Sequence, residues 1–190
     1  FKVIFGPIRS RDIAAFASSD VTATPEMRVV TFTLAERLAL VPVEFVGAFR
    51  RWKALVPVAL FALGWLLGDG TLARTTQPAL AYVVGVIAGG VAVPALLPWL
   101  PGRAFSLKGA IAGALAGAAA SLALGAPPLS LTAGTLLAAA IASFVGLNFT
   151  GATPYTSPSG VEKELRHALR LQAAAAVIAG VLWVVQYFVG

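Results

Sequence analysis

The 190-residue sequence contains no cysteine. It therefore supplies no disulfide, no thiolate zinc site, no iron–sulfur cluster and no thiol nucleophile. Charge is scarce too. Asp, Glu, Lys and Arg make up 12% of the residues, where a soluble domain carries about 25%. There is one histidine, His167, and one methionine, Met27. What fills the chain is apolar: 58% hydrophobic residues and a mean hydropathy of +0.86. This balance excludes an ordinary globular protein, a disordered chain and a disulfide scaffold, and leaves an integral membrane protein. The net charge of +6 reads first as loop asymmetry and only then as nucleic-acid binding. The chain opens on Phe1 with no signal-peptide pattern, since Arg9, Arg11 and Asp12 precede any long apolar run. The expectation is a fragment whose amino-terminal part is missing.

Charge divides the sequence. Most of it lies before Ala54, and none falls between Gly109 and Val161. The first part alternates short signals. Lys2–Phe5 is a strand candidate closed by Gly6 and Pro7. Ser10 is placed to cap a short helix over residues 11–18, with Asp12 favourable in its first turn. Val29–Leu34 is β-branched and alternating, a second strand signal. Leu38–Phe45 is apolar but holds Pro42, which makes it an edge strand or the lead-in to a helix. So short a segment has too little interior for a core of its own. Residues 1–49 therefore read as the carboxyl-terminal remnant of an α/β domain.

Residues 50–190 read as a transmembrane helical domain. A crossing needs about 20 apolar residues. The candidates are 54–68, 78–100, 107–124, 129–149 and 169–189. Five crossings are expected, or four if the first is interfacial. Positive loops alternate with weakly charged ones in register with five. Arg50, Arg51 and Lys53 precede the first, Arg103 and Lys108 follow the second, and Lys163, Arg166 and Arg170 precede the last. The excess of Lys and Arg on cytoplasmic loops puts the amino-terminal part inside a cytoplasmic membrane and the carboxyl end outside. Trp52, Trp65, Trp99 and Tyr155 stand near the expected interfaces, as an aromatic belt requires, and Tyr187 near the far one.

Within the spans, Gly109, Gly113 and Gly117 recur every four residues beside Ala110, Ala114 and Ala118. Such a stripe lets two helix backbones approach closely, inside one bundle or across a dimer. Pro57 and Pro94 read as kinks. No ionisable residue lies deep in a span, which argues against a pump or proton-coupled transporter. Asn148, Gln172 and Gln186 read as interhelical or interfacial hydrogen-bonding groups. His167, alone among Arg166 and Arg170, reads as a solvated interfacial residue, because a metal site needs several ligands. The loop before the last span holds Thr150, Thr153, Tyr155, Thr156, Ser157 and Ser159. Ser159 and Glu162 have the spacing of a capping box. The other hydroxyls are placed to face a cofactor or a docked soluble domain, or else make a plain turn-rich loop.

Several of these motifs resemble one family. Phe5-Gly-Pro-Ile-Arg-Ser-Arg-Asp-Ile13, Ala23-Thr-Pro-Glu-Met-Arg28, and Thr31-Phe-Thr-Leu34 with Arg37 and Pro42-Val-Glu44 resemble the end of a corrinoid-binding domain. That domain belongs to the mercury-methylating corrinoid membrane proteins. Asn148-Phe-Thr-Gly151, Thr153-Pro-Tyr-Thr-Ser157 and Ser159-Gly-Val161 resemble the loop before that family's last membrane helix. The resemblance implies kinship with the corrinoid subunit of the CO dehydrogenase/acetyl-CoA synthase system. It implies a cobalamin-type corrinoid that carries a methyl group to mercury(II), and a ferredoxin-like iron–sulfur partner that re-reduces the cobalt. The family's Asn-x-Trp-Cys-Ala-Ala-Gly-Lys motif, whose cysteine ligates cobalt, is absent here. Methyl transfer is thus expected of the parent protein, and this stretch alone is expected to be inactive. Gly6, Pro7 and Arg9, at a strand's carboxyl end where open α/β sheets bind ligands, are the first candidates for cofactor proximity. Thr150, Thr153, Tyr155, Thr156 and Ser157 are the second. The expected partners are membrane lipid and the ferredoxin-like protein, with no nucleic acid. The alternatives are the membrane anchor of a sister corrinoid methyltransferase that does not act on mercury, and a small transporter fragment.

Overall fold

The computed structural model describes residues 3–29, 31–67, 72–149 and 158–189. The chain divides into two compact units, residues 1–33 and residues 34–190.

In the first unit a 3-10 turn, Ser10–Asp12, runs into helix α1, Ile13–Ser18, and a second 3-10 turn spans Pro25–Arg28. Ser10 is therefore inside the helical stretch and does not cap it; Arg9 holds that position and makes no side-chain cap bond. Neither expected strand forms. No strand exists among the described residues, so the expected α/β character of the amino-terminal part is corrected to short helical turns joined by extended chain. A strand persists only when a ladder of backbone bonds satisfies its polar groups. Here a bond from Ile8 N–H to Met27 O at 3.0 Å joins the two arms. Val3 and Phe5 stay largely exposed. Phe32 has φ +45°, a left-handed conformation that a strand does not admit, and Leu34 already opens the next helix.

The second unit is helical. α2 is Leu34–Leu38 and α3 is Val41–Phe49, so the stretch with Pro42 becomes a helix with proline in its first turn, where the missing N–H costs nothing. A 3-10 turn, Arg51–Ala54, leads into α4, Leu55–Leu67. α5, Leu72–Ile87, a π-helical turn, Ala88–Ala92, and α6, Val93–Leu96, follow one another without a break. α7 is Phe105–Ala123, α8 Pro128–Asn148 and α9 Pro158–Val189. Among the described residues four stretches are long and apolar enough to cross a membrane: Thr75–Leu96, Phe105–Ala123, Pro128–Asn148 and Ser159–Val189. The expected first crossing falls short. α4 has 13 residues, about 20 Å of helix against a hydrocarbon core of about 30 Å.

The prolines act differently from simple kinks. Pro57 sits in the first turn of α4. Pro94 follows the π turn, in which Val93 N–H bonds Ala88 O, five residues back. The widened turn absorbs the bond and the space that a mid-helix proline removes. α7 ends on a Schellman motif. Gly125 has φ +63°, its N–H bonds Leu122 O at 2.9 Å, and Ala126 N–H bonds Ser121 O at 3.0 Å. Two prolines then start α8.

α8 lies at the centre, packed on α5, α7 and α9. The glycine stripe of α7 faces it within the same chain. A Cβ on Gly109 would lie 2.7 Å from Ser143 Cα, one on Gly113 2.5 Å from Ala142 Cβ, and one on Gly117 2.6 Å from Ala138 Cβ. The π turn after α5 approaches α8 the same way: a Cβ on Gly89 would lie 2.7 Å from Val145 Cβ. Polar groups pin the far end of the bundle. Gln77 on α5 donates to Ser130 O, and the Ser130 hydroxyl donates to Gln186 on α9. All three residues are buried. Outward-facing Leu115, Leu122, Val177, Val181 and Phe188 are exposed, a surface that calls for an apolar solvent.

Replacing Gly113 by Leu is expected to destabilise the bundle by about 1–3 kcal/mol or more. Helical circular dichroism followed through thermal unfolding in detergent measures it. Leu115→Ala, on the outer face, should stay within about 0.5 kcal/mol. An unchanged Gly113→Leu protein would show that α7 and α8 do not meet there.

Candidate functional site

Helix ends leave backbone groups without partners, carbonyls at the carboxyl end and N–H groups at the amino end. At one end of the second unit the ends of α6, α7 and α8 meet, and charged side chains complete those of α6 and α7. Arg37 on α2 is buried. Its Nη1 donates to Pro94 O at 3.1 Å and to Ala95 O at 3.4 Å, carbonyls in the last turn of α6. Lys108 Nζ donates to Leu97 O at 2.5 Å. The start of α7 has no side-chain cap from Ala104. Instead Glu164, from α9, accepts the Ser106 N–H at 2.7 Å. Cations thus stand at a helix carboxyl end and a carboxylate at an amino end, as the helix dipoles favour. The buried rings of Phe105 and Phe149, 6.4 Å apart, fasten the start of α7 to the end of α8.

α9 is 32 residues long, about 48 Å, so its charged first third extends beyond an apolar core of about 30 Å. It begins at Pro158, which leaves Ser159 within the first turn instead of at the expected cap position. Glu162 pairs with Arg166 at 2.6 Å, one helical turn away. His167 is exposed, with Nδ1 2.9 Å from Lys163 O, and no metal-binding group of side chains exists among the described residues. Arg103, Lys163, Arg166 and Arg170 are exposed and give this end a positive rim.

The candidate cofactor residues fall in two places. Thr150, Thr153, Tyr155, Thr156 and Ser157 lie outside the described residues. The helices that flank them, α8 and α9, have their near ends at this charged end. Gly6, Pro7 and Arg9 lie in the first unit, with Gly6 exposed and Pro7 and Arg9 half-buried. Arg9 Nη2 donates to the Thr31 hydroxyl. A Cβ at Gly6 would meet the Phe16 ring at 3.7 Å, an ordinary contact, so no close cradle demands glycine there. Arg37 and Glu164 carry no local signal of their capping role, because each acts on a helix about 58 residues away. The chain matches no protein-family model, no curated protein and no solved structure.

Glu164→Ala is expected to cost about 1 kcal/mol, the usual worth of a lost helix cap, read as a lower unfolding temperature in detergent. Glu164→Gln keeps an acceptor and should lose less. Equal losses in both variants would show that the carboxamide does not reach Ser106.

Proposed function

We propose that this chain is the membrane-anchoring part of a corrinoid-dependent methyltransferase of the mercury-methylating kind. In this reading the bundle holds a corrinoid domain at the cytoplasmic face of a membrane. A cobalamin-type cofactor supplies the methyl chemistry in the complete protein, and mercury(II) is the acceptor. A ferredoxin-like partner returns electrons to the cobalt from the same side. The family's cobalt-ligating cysteine motif is absent from these 190 residues.

One observation carries the reading beyond the motifs. The second unit begins at the end of the bundle to which the 150–157 segment is attached. α2 is tied there by Arg37 to Pro94, and the end of α8 by Phe149 to Phe105. Both stretches that resemble the family therefore attach at one end, and that end is rich in Arg and Lys. The positive-inside tendency then favours a cytoplasmic placement for it. The order of contacts along α5 and α6 supports a fifth passage beside the four long helices. From Arg37 to Leu67 the chain runs antiparallel to α5 and α6, with Arg37 beside Pro94, Phe49 on Tyr82 and Gly64 against Thr75. α3, the 3-10 turn and α4 together cover the depth that one long helix would.

A reporter fused after Gly190 should therefore read from the non-cytoplasmic side. A cytoplasmic signal would refute an inside amino end with five passages through the membrane. The function is tested on the complete protein that contains this chain. Purified in detergent, it should show corrinoid absorbance and form methylmercury from mercury(II). Corrinoid without methylmercury would favour the sister methyltransferase, and absence of corrinoid would sink both.

A further inference from the structure

α7 and α9 both pack on α8, and between them a groove runs inwards from the charged end. α7 lines it with Leu107 and Ala110, α8 with Ala139 and Ser143, and α9 with Leu171 and Ala175. Its cavity measures about 230 Å³. An apolar cavity of about 150 Å³ holds one benzene ring, so this one has room for a length of alkyl chain. Leu107 and Leu171, one on each bank, are exposed, so the groove opens on the flank of the bundle.

Its depth follows from the helix contacts. α7 has 19 residues, about 28 Å, close to a hydrocarbon thickness of about 30 Å, so its first turn marks the boundary on the charged side. Gly109, one turn further in, lies against Ser143, and Ser143 Oγ accepts a bond from Gln172 at 2.8 Å. Arg170, two residues nearer the charged end than Gln172, is therefore level with the first turn of α7. Arg166 and Lys163 follow one and two turns further out on the same face of α9. Side chains on α9 lean towards its amino end, which here is the headgroup side. On the other bank Arg103 precedes α7. Its neighbour Gly102 stands over Leu107, since a Cβ there would lie 2.8 Å from Leu107 Cδ2.

The charge at this mouth is one-sided. Arg103, Lys163 and Arg170 are exposed, and among the described residues no carboxylate pairs with them. Arg166 is paired with Glu162, and Glu164 is held by the Ser106 N–H at the head of the groove. An apolar groove open to the bilayer, with unpaired cations at its headgroup end, complements an anion that carries an apolar tail.

We propose that this groove binds an anionic phospholipid from the leaflet on the charged side, with one acyl chain between Ala110 and Ala175 and the phosphate at Arg103 and Arg170 on the two banks. The inference stands on the bundle alone and does not depend on the corrinoid reading. The acyl chain fills the space that alanine leaves between α7 and α9. The phosphate is a counter-ion for cations that the described residues leave unpaired.

The test uses the whole chain purified in mild detergent. Native mass spectrometry titrates it with phosphatidylglycerol and with phosphatidylcholine of identical acyl chains. Each cation near a membrane surface confers about a fivefold preference for an anionic lipid, so two should confer about 25-fold. Arg103→Gln and Arg170→Gln should each lower the preference about fivefold. Together they should erase it and leave phosphatidylcholine binding unchanged. Lys53→Gln removes the same charge from the turn before α4, which is no part of the groove, and should leave the preference intact. Ala110→Phe and Ala175→Phe fill the groove from either bank and should abolish binding of both lipids, with circular dichroism to check that each is folded. Equal binding of the two lipids by the unaltered chain would overturn the proposal. So would a preference that survives the double variant, an equal loss in Lys53→Gln, or undiminished binding in folded filled variants. Displacement of phosphatidylglycerol by an equal concentration of free glycerol phosphate, or a dimer that the filled variants dissociate in place of bound lipid, would overturn it too.

Discussion

Along α7, Gly109, Gly113 and Gly117 set bare backbone against α8, and α5 and α9 pack on that pair. In a bilayer, lipid is as apolar as a leucine side chain, so burial alone does not drive helices together. What remains is van der Waals contact at short range, and it grows as two backbones close up. Glycine makes the approach possible here because any Cβ on the stripe would fall within 2.7 Å of α8 atoms. With α7 seated, α8 has two further faces. α5 and the π turn after it take one through Gly85 and Gly89, and α9 takes the other. α8 is consequently the most buried of the four long helices and α9 the least.

Polar contacts then fix how far each helix can slide. At one end Gln77, Ser130 and Gln186 link α5, α8 and α9 in a buried chain. At the other, Arg37, Lys108 and Glu164 complete the exposed ends of α6 and α7. Between these two layers the contacts are between small or apolar side chains, which specify distance but not register. Buried polar groups are costly when mispaired. A shift of one turn would break both layers, so together they favour one alignment. The same arrangement concentrates charge at one end of the bundle, the property on which the proposed orientation rests.

The first passage along the bundle is built differently. α3, a 3-10 turn and α4 follow one another along α5 and α6, and their junction carries Arg50, Arg51 and Lys53. That composition explains why no single long helix forms: three cations close together between two apolar runs favour an interruption over burial. The interruption leaves a notch beside α4, lined by Val56, Val86 and Phe144. A short helix and a cavity are thus two sides of one sequence feature.

Composition alone pointed to apolar helices long enough to cross a membrane, with 58% hydrophobic residues and 12% charged ones. Helix positions were legible for the same reason: a run such as Leu129–Phe149 has one physical option in lipid. The glycine stripe announced a close helix contact, and Gln172 and Gln186 announced interhelical bonds. Their partners, Ser143 and Ser130, were not legible, since spacing along one helix carries no information about which neighbour it meets. Of the candidate cofactor residues, Gly6, Pro7 and Arg9 rested on a strand that does not form. β-Branched alternation at Val29–Leu34 is a local preference, and a strand needs a partner that these residues do not provide. Arg37 and Glu164 were invisible as caps because tertiary packing brings them to helices far along the chain. The sequence by itself determined apolar character, helices and charge asymmetry, which are local or summed properties. Tertiary structure decided partners, register and the cavity beside α4, because those depend on which surfaces fit at contact distance.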